Sequence, residues 1–232
     1  MTDPVVVGII DSGAHPRQLG LLQAMRRFSA GPAGHVEAFD DACDRVGHGT
    51  ETVDIVLQAE PPPGLMVAQV FDDALTTSAL RVSAALDWLA GEGARLINMS
   101  LGLAHDRDVL RQACARAHGA GAILVASAPA RGGPVYPAAY DRVVSVTGDA
   151  RCAVGEVSDL LGRQADFGTF GGAPSGPQVR AGASVAAAQF TTLAAAYLAV
   201  HGNADAGALK EHFRARADYH GPERRGAVSG DG

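Results

Sequence analysis

Apolar residues in this chain come in short runs, separated by stretches where they recur every three or four positions. Val5-Val6-Val7-Gly8-Ile9-Ile10 is apolar throughout and mostly β-branched, the pattern of a central strand buried on both faces. Leu65–Phe71, Arg95–Met99, Gly121–Ala126 and Arg142–Thr147 repeat it. His35–Phe39 reads as a shorter strand, and 148–180 as irregular chain with one or two short strands. Helical spacing predicts helices from Pro16 to about Phe28, from His48 to about Leu57, and over Ser78–Leu89, Asp108–His118, Gly182–Val200 and Ala204–Arg216. Pro61-Pro62-Pro63-Gly64 stops the second of these. Strands alternating with helices predict an α/β fold, with helices flanking a central, mostly parallel sheet. No internal repeat or long linker divides the chain, so 1–220 reads as a single domain, with 221–232 a flexible polar tail.

Composition narrows the function classes. The chain has 232 residues, enough for a sizeable core, and 47% of them are hydrophobic. A formal net charge of −6 argues against nucleic acid as a partner. Three cysteines, Cys43, Cys114 and Cys152, lack the paired spacing of a disulfide framework and read as free thiols. No secretory leader is visible, and the Ala-rich run 185–200, which contains Gln189, Thr191 and Thr192, reads as a buried helix rather than a membrane span. A cytoplasmic location without membrane attachment is expected.

The candidate chemistry starts at Val46-Gly47-His48-Gly49-Thr50, a histidine between two glycines at the head of an apolar helix. Glycine permits close approach of backbone, and a helix start turns side chains toward a cleft. In sheets of this kind ligands bind off the carboxyl ends of the strands. Asp11, Ser100 and the segment after Ala126 all fall at strand ends. Asp11 is the carboxylate candidate for orienting His48; by itself it reads equally as a turn or cap residue. Ser184, in Gly182-Ala183-Ser184-Val185-Ala186, is the nucleophile candidate, where unpaired N–H groups at a helix start can stabilise an oxyanion. By itself it reads as an N-cap.

Together these contexts resemble the subtilisin-like serine proteases. Val-Gly-Ile-Ile-Asp-Ser-Gly at 7–13, Gly-His-Gly-Thr at 47–50 and Gly-Ala-Ser-Val-Ala at 182–186 are similar to that family's aspartate, histidine and serine motifs, in the family's order. Ile-Asn-Met-Ser-Leu-Gly at 97–102 and Tyr136-Pro137-Ala138-Ala139-Tyr140 also fit, and the likeness covers about residues 5–200. It implies a subtilisin-like three-layer fold, with Asp11, His48 and Ser184 as a catalytic triad for peptide hydrolysis. It further implies that Ser100, Leu101 and Gly102 pair with the substrate backbone, and that Ala126, Ser127 and Ala128 wall the pocket for the residue before the scissile bond.

The chain departs from the family in one consequential place. Where the family carries Ala-Ala-Gly-Asn, this chain has Ser127-Ala128-Pro129-Ala130, so Ala130 stands at the asparagine that completes the oxyanion hole. The backbone N–H of Ser184 remains as one donor. Glu51 and Ala188 replace a histidine and a proline often found there, without removing a catalytic group. Neither a cofactor nor a structural metal is expected; Asp40-Asp41 and Asp72-Asp73 read as solvated loops, and His15, His35, His105 and His118 lack metal-ligand spacing. Asp166-Phe167-Gly168 spells a kinase motif without its companions. The expected function is a narrow-specificity intracellular endopeptidase that removes a leader from a peptide or protein precursor. The chain resembles the small subtilases of that type, such as the one associated with the quinohemoprotein amine dehydrogenase small subunit. The alternative is a catalytically impaired subtilase fold that binds a peptide without cutting it.

Overall fold

The computed structural model describes residues 4–31, 34–162, 164–172 and 182–222. Its centre is one ten-stranded sheet in the order β10-β8-β9-β7-β6-β5-β1-β4-β2-β3. The strands are β1 (Val6–Asp11), β2 (Leu22–Ala30), β3 (Val36–Phe39), β4 (Gly64–Gln69), β5 (Leu96–Met99), β6 (Ile123–Ser127), β7 (Val143–Gly148), β8 (Val157–Asp159), β9 (Phe167–Thr169) and β10 (Tyr219–His220). The helices are α1 (His48–Val56), α2 (Ala79–Gly91), α3 (Asp108–Gly119), α4 (Ala183–Val200) and α5 (Ala206–Ala215). Among the described strands β2–β3 and β8–β9 pair antiparallel, and the other strand pairings are parallel.

Both faces of the sheet are covered, as its uniformly apolar strands require. Val7 and Ile9 of β1, with Ile123 and Val125 of β6, pack toward α1, α4 and α5. Ile10, Leu124 and Ala126 point the other way, toward α2 and α3. Gly8 is needed at β1 because a Cβ there would meet Leu89 Cδ1 of α2 at 2.8 Å. At the far end Phe190 of α4 stacks on Phe167 with centroids 5.0 Å apart, and Phe213 of α5 closes on Phe190 at 4.8 Å. By length and apolarity α4 could cross a membrane, yet it lies over the sheet with Ala186, Ala187, Ala188 and Ala194 fully buried. Its small residues allow that close packing.

One expected helix is absent. Residues 16–28 form a short 3-10 turn over Pro16–Leu21, followed by β2. Gln18 accounts for the break: its side chain caps His15 N–H and donates to Thr50 O and Asp54 Oδ1, which binds the turn to α1. From Leu22 the backbone satisfies the open edge of β4, with a register shift between Leu22 and Ala24. Pairing with a sheet edge overrides the local helical spacing. The two-residue β10 was not anticipated either; it pairs with β8. Gly221, placed in the expected tail, donates to Asp159 O at 2.8 Å, and 223–232 lie outside the described residues.

Candidate active site

Asp11 is the last residue of β1 and His48 the first of α1. Their side chains meet: His48 Nδ1 and Asp11 Oδ1 are 2.6 Å apart, with Asp11 fully buried and His48 8% exposed. A buried carboxylate is costly unless its oxygens are occupied. Here Oδ1 also accepts the Ser12 N–H at 2.7 Å, and Oδ2 accepts the Thr52 hydroxyl at 2.9 Å. His48 and Thr52 share a face of α1 at a spacing of one turn, so a single helical turn grips the carboxylate from two sides.

The glycines flanking His48 have separate tasks. Gly47 adopts φ +83°, the left-handed conformation that turns the loop into α1. Gly49 lies against the loop after β1, where a Cβ would meet Gly13 O at 2.1 Å. A second network fixes the loop. Asp44 accepts from the N–H groups of Val46, Gly47 and Thr50 and from the hydroxyls of Ser12 and Thr50, at 2.5 to 2.9 Å. Burial pushes the Asp44 carboxyl up, but the bonds from Thr50, Gly47 and Ser12 outweigh it and hold the group below its ordinary value. Asp44 was not singled out from the sequence; its place two, three and six residues before the N–H groups it accepts from was the available signal.

Ser184 lies in the first turn of α4, after Gly182 at φ +149°. Its hydroxyl donates to Ser100 O at 3.4 Å, and the Ser100 hydroxyl donates to Ser184 O at the same distance. The serine segment and the strand-end segment are therefore in direct contact. Asn98 reinforces this contact from below: its amide donates to Ser100 Oγ at 2.9 Å and its carbonyl accepts the Thr191 hydroxyl of α4 at 3.0 Å.

Of the expected substrate-binding residues, Gly102 is exposed, whereas Ser100 and Leu101 are nearly buried. Leu103 next to them bridges antiparallel to Tyr136. Ser127 donates its hydroxyl to Leu101 O at 3.4 Å. Ala128 lines a cavity of about 280 Å³ with Pro129, Val135, Ala138, Ala139 and Gln164, none of them charged. Ala126 is fully buried in the core facing α2 and α3. Ala130 is exposed in the loop after β6 and carries no side-chain donor.

The remaining carboxylates and thiols have structural environments. Asp40-Asp41 and Asp72-Asp73 lie in exposed loops, where they pair with Arg26, Arg27, Arg81 and Arg45. Burial pushes the thiols of Cys114 and Cys152 up to about 12 and about 11, which leaves them unreactive. Cys43 is half-buried, and all three cysteines are free. Among the described residues no three His, Cys, Asp or Glu side chains are grouped to hold a metal ion.

A parallel sheet covered on both faces, with an aspartate–histidine pair at the end of its central strand and a serine at a helix start nearby, has the organisation of a subtilisin-type α/β protein. The chain belongs to the subtilase family, whose model matches residues 2–221. It is 29% identical over 178 residues to the thermostable alkaline protease of Halalkalibacterium halodurans, covering 71% of this chain and 44% of that protein. The chain spans about half the length of the curated relatives it matches. In structure it is similar to the S41 psychrophilic protease, with a TM-score of 0.70 and 20% identity over 94% of this chain and 86% of that one. It is also similar to the epidermin leader peptide processing serine protease of Staphylococcus aureus, with a TM-score of 0.65 and 18% identity over 91% and 67% of the two chains.

Proposed function

We propose that this protein is a serine endopeptidase of narrow specificity, acting inside the cell on a peptide or protein precursor. The observation that carries the reading is the buried 2.6 Å contact between Asp11 Oδ1 and His48 Nδ1. Asp11 accepts a hydrogen bond from Nδ1–H and so fixes the tautomer that leaves Nε2 as a base. His48 then takes the Ser184 proton as the hydroxyl attacks a peptide carbonyl. It returns that proton to the leaving amine, and the second half-reaction repeats the sequence with water. The 3.4 Å bond from Ser184 to Ser100 O is long and easily given up for this role. Ser184 N–H supplies one oxyanion donor, while Ala130 supplies none from its side chain.

An uncharged cavity of about 280 Å³ suits a small, neutral residue before the scissile bond. Leader removal is supported by the structural likeness to a leader peptide processing protease, and a weakened oxyanion hole suits an enzyme that meets one substrate. The test is incubation of precursor peptides from neighbouring genes with wild-type protein and with Ser184→Ala, read by mass spectrometry. A single cut that requires Ser184 is expected. No cut, together with no labelling of Ser184 by a fluorophosphonate, would replace this reading with the second one, a subtilase fold that holds a peptide without cleaving it. Ala130 is the observation that favours that alternative.

A further inference from the structure

We infer that Gln164 is a positioning residue for the specificity cavity, setting how firmly the site holds the side chain before the scissile bond; this rests on the endopeptidase reading. The segment from Pro129 to Pro134 leaves β6 and forms one wall of the cavity. Its neighbours are anchored: Ala128 N–H donates to Val146 O at 2.7 Å, and Tyr136 N–H to Leu103 O at 2.9 Å. Within Pro129–Pro134, among the described residues, one hydrogen bond ties the wall to the rest of the chain; the next, from Ala139 N–H, is to Val135 O beyond it. Gln164 Nε2 donates to Pro129 O at 3.1 Å.

Packing does not replace this tether. The segment contains Gly132, at φ +107°, and Gly133, and Ala130 through Pro134 are exposed. Cavities of about 280 and 390 Å³ adjoin it, and Gln164 lines both. Ala130 also bears on this point, because it offers no polar side chain to fasten the segment. The wall of the cavity therefore takes its position from a side chain in the turn between β8 and β9.

The test uses the full chain with Gln164→Ala, Gln164→Glu and Gln164→Lys. Arg131 sits exposed in the tethered segment, so cleavage at Arg131–Gly132 by an arginine-specific protease reports how often the segment opens. Losing one hydrogen bond is expected to speed this cut about fivefold in the Ala and Glu variants, with the melting temperature unchanged. Lys keeps an N–H donor at similar reach and is expected to restore the wild-type rate. For cleaved peptides, KM is expected to rise about fivefold in the Ala and Glu variants. Fluorophosphonate labelling of Ser184, which needs no side chain in the cavity, is expected to be unchanged. An unchanged cutting rate in Gln164→Ala, or faster cutting with unchanged KM, would overturn the inference. A wild-type protein that cleaves no peptide would remove the endopeptidase reading instead, while the Arg131 rates would still decide whether Gln164 tethers the wall.

Discussion

Ser12 and Asp44 join the two loops that present the aspartate–histidine pair. The Ser12 hydroxyl donates to Asp44 Oδ1 at 2.8 Å, and its oxygen accepts the Gly49 N–H at 2.8 Å. The loop after β1 and the loop before α1 are held to each other one residue away from Asp11 and His48. Neither Ser12 nor Asp44 needs to touch substrate for its loss to be felt there.

Asp44→Ala removes the common acceptor of five hydrogen bonds and is expected to destabilise the protein by about 3 kcal/mol. Chemical denaturation checks the figure, and an unchanged midpoint would show the network to be dispensable. The pH dependence follows from the lowered carboxyl. A carboxylate whose folded value lies below its unfolded value of about 3.9 adds stability in full above that pH, and loses it as pH falls through the folded value. Asp44→Asn is therefore expected to flatten the acid limb of the stability curve.

Asn introduced by Ala130→Asn would put a side-chain donor where the family keeps one. Loss of such a donor costs about a hundred- to a thousandfold in turnover, so the substitution is expected to raise kcat by up to that factor with little change in KM. Steady-state kinetics on a cleaved precursor would decide it. An unchanged kcat would mean that another group already fills the role.

Asp11→Asn is expected to lower kcat about 10⁴-fold while leaving the fold intact, because an amide facing Nδ1 favours the wrong tautomer. Thr52→Val removes the bond to Asp11 Oδ2, along with a longer one to His48 O at 3.2 Å, and is expected to cost about tenfold. The ordering of the two, measured by fluorophosphonate labelling rates of Ser184, is the informative result. Equal losses would mean that the carboxylate's setting matters as much as its charge.

Gly49→Ala would drive a methyl group into the Gly13 carbonyl, and neither backbone can retreat without breaking the Ser12 bond. A loss of about 3 kcal/mol or more is expected, seen as a lower melting temperature. Gly91→Ala, whose added Cβ meets nothing within 4 Å, is the control for adding a methyl group to a helical glycine, since neither Gly49 nor Gly91 has a positive φ.

The strands β1, β4, β5, β6 and β7 were legible because each is apolar on both faces, and burial on both faces leaves no competing pattern. The stretch 16–28 was misread because its helical spacing is genuine, and what overrules it is the β4 edge, a partner some forty residues away that no local window contains. Asp11, His48 and Ser184 stood out by their neighbours rather than by themselves. Asp11 and His48 meet in the structure, whereas Thr52 was invisible, since a threonine in a helix carries no mark of what it bonds. Gln164 was hidden for the same reason: its partner is a backbone carbonyl thirty-five residues earlier.

Asn98 has a bearing on timing. Its amide couples the segment at Ser100 to Thr191, ninety-three residues further along the chain. As the polypeptide leaves the ribosome, the aspartate and histidine emerge early and the serine late. Until α4 is made and its Thr191 docks on Asn98, the Asp11–His48 pair stands without the serine segment. The contact that brings the serine segment onto the end of the sheet thus waits on one of the last helices to be made.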